Sequence, residues 1–118
     1  MTRRKVLILE DDKAVADLYA REMRARGLDA VVCTSFPDAR DVLKQELPDA
    51  LLTDVRVGAF NGLQLAHLFR SLSPHGTVVV ATGHDDPTIR DEALKLGAHF
   101  ITKPLHIDAL VSYFTLPG

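Results

Sequence analysis

The sequence has one cysteine, no tryptophan and almost no excess of charge. The single cysteine, Cys33, excludes an internal disulfide framework, and its place in an apolar run indicates a buried thiol. The 14 basic and 16 acidic residues leave a formal net charge of −2, a balance that gives no sign of the basic face that nucleic-acid binding requires. No apolar run reaches membrane-spanning length, and no signal-peptide core begins the chain. We therefore expect a cytoplasmic protein that contacts neither nucleic acid nor membrane directly.

Strand and helix signals alternate five times along the chain, without a linker or an internal repeat. The five apolar strand-like runs are residues 5–9, 30–33, 50–54, 77–81 and 99–102. Five βα units with short loops imply right-handed crossovers and a parallel sheet with helices on both faces. We predict one domain over residues 1–118, an α/β doubly wound (βα)5 sandwich with the flavodoxin-like strand order 2-1-3-4-5.

The third predicted strand, residues 50–54, is an apolar run that ends on the carboxylate of Asp54. An ionised carboxylate beside a core must be paired or solvated, so this ending is unusual for a buried strand. In open α/β sheets the binding crevice lies outside the carboxyl ends of the strands. In the predicted strand order the first and third strands are neighbours, which brings Asp11 next to Asp54. We therefore predict that Asp54 is the centre of the functional site.

Several acidic side chains are predicted to converge on this site. Glu10, Asp11 and Asp12 follow the first strand directly, and Asp54 ends the third. Packed like charges raise one another's pKa unless a cation lies among them. Ligands that are all oxygen suit Mg²⁺ or Mn²⁺ better than zinc. Asp12 has an alternative role as the cap of the following helix, which accounts for one acid but not for the group.

Two more polar side chains end the fourth and fifth predicted strands. Thr82 adds a hydroxyl group and Lys103 adds an ammonium group. Together with a metal ion and the backbone N–H groups of strand-to-helix turns, they suit a phosphoryl group. The alternative is a purely structural ion pair between Lys103 and Asp54. That alternative does not explain why four of the five strands each contribute a polar group at the same end.

Four short motifs, in this order and at these spacings, resemble the receiver domain of two-component response regulators. They are LILEDD at residues 7–12, LLTD at 51–54, ATG at 81–83 and FITKP at 100–104. The resemblance covers nearly the whole chain.

The resemblance implies a phosphoacceptor that promotes its own phosphorylation, with slow autodephosphorylation, rather than a separate enzyme. Asp54 matches the residue that accepts a phosphoryl group from the phosphohistidine of a sensor histidine kinase or histidine phosphotransfer protein. Glu10 and Asp11 match the acidic pair that binds Mg²⁺ (or Mn²⁺), with Asp11 as the direct ligand. Arg56 matches the residue whose backbone carbonyl is a further ligand.

The resemblance also implies a conformational switch. Thr82 matches the hydroxyl group that bonds to the phosphoryl oxygen, and Lys103 matches the ammonium group that pairs with it. The peptide bond between Lys103 and Pro104 is cis in the family, a form available before proline. Phe100 matches the aromatic switch position but lacks the hydroxyl of the more usual tyrosine, so either it switches by packing or it is a plain core residue. The coupled face, and a possible homodimer interface, comprises the fourth helix, the fifth predicted strand and the fifth helix.

The chain departs from the family pattern in the loops that flank the site. The loop after Asp54 has Val57-Gly58 where the family usually has Met-Pro, and glycine frees its backbone. Arg56 lies two residues after the predicted acceptor, and we predict that its side chain alters the dephosphorylation rate. His84 occupies the other position at which the family tunes hydrolysis, with a solvated loop histidine as the alternative.

Three other classes of protein compete with this interpretation. A phosphatase of the haloacid-dehalogenase type needs an acid two residues after its nucleophile, where this chain has Arg56, which cannot be deprotonated. A flavin or dinucleotide site needs glycine or hydroxyl residues in the first turn, which here is acidic. The remaining alternative is a receiver-like docking module that acts without phosphorylation, and the intact set of polar residues argues against it.

Overall fold

The computed structural model describes residues 3–115, which contain seven β-strands and five α-helices. The strands are β1 (Lys5–Leu9), β2 (Asp29–Cys33), β3 (Ala50–Asp54), β4 (Arg56–Val57), β5 (Phe60–Asn61), β6 (Thr77–Thr82) and β7 (His99–Thr102). The helices are α1 (Lys13–Ala25), α2 (Phe36–Gln45), α3 (Gly62–Leu72), α4 (Pro87–Lys95) and α5 (Ile107–Thr115). The first two and last three residues of the predicted domain lie outside the described part of the chain.

Five of the strands form one parallel sheet with the order β2-β1-β3-β6-β7. These are the five strands predicted from the sequence, so the predicted order 2-1-3-4-5 is confirmed. In the register of the sheet, Asp54 pairs with Ala81 and Thr82 pairs with Thr102. The carboxyl ends of β3, β6 and β7 therefore meet at one edge of the sheet.

The sheet is buried on both faces, and the alternation of side chains along β1 shows how. Leu7 and Leu9 pack into a core cluster with residues from α2, α3 and α4, whereas Val6 and Ile8 pack into a second cluster with residues from α1 and α5. All four side chains are at most 1% exposed. A register slip of one residue would exchange the two faces, and this requirement holds the strand ends in place.

Side-chain caps begin the helices that follow the strand ends. The Asp12 carboxylate accepts hydrogen bonds from the backbone N–H groups of Ala14 and Val15 and begins α1. Ser35 begins α2 and Asp86 begins α4 in the same way. The capping alternative for Asp12 is therefore correct.

Two short strands were not predicted from the sequence. The sequence predicts a loop after β3, but β4 and β5 form an antiparallel hairpin in which Arg56 pairs with Asn61 and Val57 with Phe60. Gly58 has a φ of 60° in the turn, a conformation that glycine adopts without steric cost. Within residues 3–115, no helix is long and apolar enough to cross a membrane.

Candidate functional site

An ion triad lies at the carboxyl ends of β1, β3 and β7. The Lys103 Nζ atom lies 3.0 Å from Asp54 Oδ2 and 3.1 Å from Glu10 Oε2. The exposed fractions of the side chains are 6% for Glu10, 12% for Asp54 and 29% for Lys103. An ion pair between Lys103 and Asp54, the alternative raised from the sequence, is thus present, but the ammonium group is shared with a second, more deeply buried acid.

Burial and charge act in opposite directions on this triad. Burial raises the pKa of Glu10 above its ordinary value, and the hydrogen bond from Lys103 lowers that pKa only in part. Burial alone would lower the pKa of Lys103, but its hydrogen bonds to Asp54 and Glu10 raise the pKa above the usual range. The side chain of Lys103 is therefore held as an ammonium ion between two carboxyl groups.

Three acidic side chains form a group that suits a divalent cation. Carboxylate oxygens of Glu10, Asp11 and Asp54 all lie within 4.8 Å of one another. Asp11 is exposed, so the group opens to solvent on one side. An all-oxygen donor set with room for water fits a hard divalent cation. Asp12, the fourth acid considered from the sequence, is not part of this group and caps α1 instead.

Thr82 lies beside the triad at the end of β6. Its side chain is buried, and its Oγ1 accepts a hydrogen bond of 3.2 Å from the backbone N–H of His84. The backbone N–H of Lys103 donates to the Thr82 carbonyl oxygen at 2.8 Å. This backbone bond ties the ends of β6 and β7 together, which places the hydroxyl group and the ammonium group at the same edge of the sheet.

The residues of β7 and the following turn occupy the predicted positions. The Lys103–Pro104 peptide bond is cis, the form that the resemblance implies. Phe100 is partly buried and packs against the core cluster on the side of α4. The guanidinium carbon of Arg90 lies 5.6 Å from the centroid of the Phe100 ring, and Arg90 also pairs with Asp85. A surface contact thus links α4 to β7 and to the loop after Thr82.

The two predicted tuning residues share one cleft. Arg56 and His84 line a cleft of about 400 Å³ together with Thr82, between the β4–β5 hairpin and the start of α4. Arg56 and His84 are both exposed. The structure places these side chains near the buried Thr82, whereas their effect on hydrolysis stays a prediction.

Two residues that shape the site, Gly62 and Tyr19, carry no functional signal in the sequence. A Cβ atom added to Gly62 would lie 1.7 Å from the backbone oxygen of Asp54, so no larger residue fits there without displacing β3. The Asn61-Gly62 pair before an apolar helix marks a helix start, but it carries no signal of this close approach. Tyr19 lies on the apolar face of α1, and it lines a small cavity with Glu10, Asp54 and Lys103.

Comparison with known proteins agrees with this geometry. The family model of the response regulator receiver domain matches residues 6–115. The chain is 31% identical over 112 residues to the DNA-binding transcriptional regulator NtrC of Proteus hauseri, and the match covers 92% of this chain and 23% of that protein. It is 30% identical over 104 residues to the regulatory protein LuxO of Vibrio vulnificus, with 87% of this chain and 23% of that protein covered.

Solved structures share the fold. A CheY-like receiver domain protein from Methanospirillum hungatei superposes with a TM-score of 0.90 at 20% identity, covering 96% of this chain and 91% of that chain. A response regulator protein from Burkholderia pseudomallei, solved with a phosphorylated aspartic acid, a calcium ion and citrate, has a TM-score of 0.86 at 22% identity. That comparison covers 93% of this chain and 65% of that chain.

The extent of these matches defines what they show. The chain spans 23% of the length of the curated relatives just described, so they inform one domain of much longer proteins. The family match extends over nearly all of the described residues, and the polar residues at the strand ends lie inside it. The chain belongs to the response regulator receiver domain family.

Proposed function

We propose that residues 1–118 form a single phosphoacceptor receiver domain in which Asp54 accepts a phosphoryl group from the phosphohistidine of a sensor histidine kinase or a histidine phosphotransfer protein. The observation that carries this proposal is the position of the Asp54 carboxylate. It lies 3.0 Å from the ammonium group of Lys103, and it belongs to a group of three acids that fits a divalent cation. Nucleophile, counter-charge and metal ligands are then within reach of one phosphoryl group.

The metal ion is proposed to be Mg²⁺, with Mn²⁺ as a substitute. The carboxylates of Glu10, Asp11 and Asp54 would hold it, with the backbone carbonyl of Arg56 as a further ligand. When bound, the ion supplies positive charge that offsets the negative charge of the phosphoryl oxygens. The residues of the chain then determine where the donor's phosphorus atom lies relative to Asp54.

The transfer itself needs little covalent help from the protein. A carboxylate oxygen of Asp54 forms a bond to phosphorus while the bond between phosphorus and the donor imidazole nitrogen breaks. The imidazole leaves with the electron pair of the broken bond and takes a proton from solvent. Lys103 exchanges its contact with Asp54 for a contact with a phosphoryl oxygen. The domain is proposed to act on itself in this way, with slow autodephosphorylation, rather than as a separate enzyme.

The proposed switch starts from the Thr82 hydroxyl group. In the present conformation its oxygen accepts the hydrogen bond from His84, so turning toward a phosphoryl group would break that bond. The loop that follows leads into α4, and Phe100 lies under Arg90 of this helix. Differential bonding of Thr82 would thus shift the equilibrium between two conformations of the face formed by α4, β7 and α5. A homodimer through this face, and a cytoplasmic location, stay predictions.

Arg56 and His84 are proposed to tune the lifetime of the phosphorylated state. The observation that supports this role is the cleft that both residues share with Thr82, through which water would approach the acyl phosphate. Replacing Arg56 with alanine is expected to change the dephosphorylation rate. An unchanged rate in this variant would remove the side chain of Arg56 from the mechanism.

The proposed function is tested by intact mass after incubation with Mg²⁺ and acetyl phosphate. We expect one added phosphoryl group, absent in EDTA and absent in Asp54→Asn. Asp17→Asn is the control, because Asp17 is an exposed acid of α1 that is paired with Lys13. If the folded protein gains no phosphoryl group from acetyl phosphate or from a phosphorylated histidine donor, the domain is a docking module that acts without phosphorylation.

A further inference from the structure

The β4–β5 hairpin connects Asp54 to the start of α3 and forms one wall of the site. Its two strands pair only over Arg56 with Asn61 and Val57 with Phe60, and its turn contains Gly58. A hairpin this short has only marginal stability in water by itself. Other contacts must therefore hold it in one conformation.

The base of the hairpin is fixed to the end of β3. The backbone N–H of Gly62 donates a hydrogen bond of 2.6 Å to the carbonyl oxygen of Val55. The Val57 side chain is 2% exposed and belongs to the core cluster under α3. These contacts secure the ends of the hairpin, but they do not hold its outer strand.

The outer strand is held by an aromatic contact with α2. The ring of Phe60 stacks on the ring of Phe36, with centroids 5.0 Å apart and an angle of 14° between the planes. The guanidinium group of Arg40 lies 6.0 Å from the centroid of Phe36. Phe60 itself is 45% exposed, so the stack orients a ring that is still partly open to solvent.

We propose that the stack of Phe60 on Phe36 is a positioning contact for the phosphorylation site. The proposal rests on the function proposed above. By holding β5, the stack adds to the contacts of Val55 and Val57 that hold β4, and with it the backbone of Arg56, which follows Asp54 by two residues. It would thereby keep in place the Arg56 carbonyl, which the proposed function makes a metal ligand, and the Arg56 side chain, which lines the cleft with Thr82 and His84.

The size of the effect follows from the strength of an aromatic pair. Without the stack, the hairpin samples conformations in which the Arg56 carbonyl is displaced. Only molecules whose hairpin keeps the binding conformation hold the metal fully, so the apparent metal affinity falls in proportion to their fraction. The loss expected from removing one aromatic stack is about 2- to 10-fold in the metal dissociation constant. A ring that only shields the surface would leave this constant unchanged.

The test is the affinity for Mn²⁺, measured by electron paramagnetic resonance of the free ion in the absence of a phosphodonor. Phe60→Ala is expected to raise the dissociation constant about 2- to 10-fold, and Phe60→Tyr, which keeps the ring, is expected to retain wild-type affinity. Leu72→Ala is the matched control, since Leu72 is also 45% exposed but ends α3 outside the hairpin. Phe36→Ala, on a different helix, should reproduce the effect of Phe60→Ala, and the two changes combined should not add.

The outcomes separate this inference from the proposed function. If the wild-type protein binds Mn²⁺ and is phosphorylated, but Phe60→Ala binds the ion equally well, the inference is overturned and the function stands. If the wild-type protein binds no Mn²⁺, both are overturned. Phe60→Leu replaces Phe60→Ala if circular dichroism shows that the alanine variant is unfolded at the temperature of the titration.

Discussion

The site has two halves that are built differently. The Asp54 half consists of Glu10, Asp54, Lys103 and Gly62. The three charged side chains are in direct contact, and a Cβ atom added to Gly62 would clash with the Asp54 backbone. The Thr82 half consists of Thr82, Gly83, His84, Arg90 and Phe100. Here a Cβ atom added to Gly83 would meet nothing within 4 Å, and the Arg90 side chain is 43% exposed.

The helices that follow the two halves differ in the same way. The helix α3, after the Asp54 half, has five buried residues, whereas α4, after the Thr82 half, has one, Ala93. Elements with few buried contacts open at low free-energy cost. The proposed phosphoacceptor thus lies on a closely packed element, beside a loop and a helix whose local opening should cost less free energy. This is the arrangement that a phosphorylation switch requires.

Removing the ammonium group of the Asp54 half should have the largest effect. Lys103→Met is expected to lower the rate of phosphorylation by acetyl phosphate by about 100- to 1000-fold, because a preorganised positive charge is lost at the phosphoryl oxygens. The rate is measured from the mass spectrum over time at a fixed Mg²⁺ concentration. Lys95→Met, an exposed lysine of α4, is the control and should react at the wild-type rate. Equal rates in the two variants would show that Lys103 is only a structural partner of Glu10.

A pair of glycine substitutions compares the packing of the two halves directly. Gly62→Ala should lower the free energy of unfolding by about 1–3 kcal/mol or more, because its Cβ would overlap the Asp54 carbonyl oxygen. Gly83→Ala should leave it unchanged or raise it by about 0.4–1 kcal/mol, since the added methyl group meets open space. Urea unfolding followed by circular dichroism measures both. Similar losses in the two variants would contradict the difference in packing.

The surface contact of the Thr82 half should contribute little to stability. Arg90→Met removes the ion pair with Asp85 and the cation–π contact with Phe100, and should cost at most about 1 kcal/mol of unfolding free energy. The amide resonances of Phe100 and its neighbours should shift in ¹H–¹⁵N spectra, because the ring loses the group that covers it. Arg21→Met, on an exposed position of α1, is the control. Unchanged Phe100 resonances would show that Arg90 does not restrain this ring.

The smallest expected effect is a change of slope at alkaline pH. Burial raises the pKa of Tyr19, which lines the cavity beside the Asp54 half. A phenol whose pKa is higher in the folded state stabilises that state below the unfolded pKa of about 10, and this contribution is lost as pH rises through the folded pKa. Tyr19→Phe should therefore flatten the fall of unfolding free energy above about pH 10. Identical slopes for both proteins, measured by urea unfolding, would show that the phenol is as well solvated in the folded state as in the unfolded state.

The sequence was sufficient for the fold because its signals are local and repeated. Five apolar runs that alternate with helical patterns leave few topologies once crossovers are right-handed and both faces are covered. The convergence of Glu10, Asp11, Asp54, Thr82 and Lys103 then follows, since carboxyl ends of parallel strands meet at one edge. The sequence could not decide between metal binding and helix capping for Asp12, because both roles suit an acid just after a strand.

The amino-acid sequence by itself determined the strand order, the edge at which the polar residues meet and the family to which the chain belongs. Tertiary structure alone decided that Lys103 is shared between two acids, that Gly62 lies against the Asp54 carbonyl, and that Phe60 stacks on Phe36. The physical reason is the separation along the sequence over which each kind of interaction acts. Periodicity and capping act between near neighbours in sequence, whereas these contacts join residues on different elements, and their geometry depends on how the whole sheet and its helices pack.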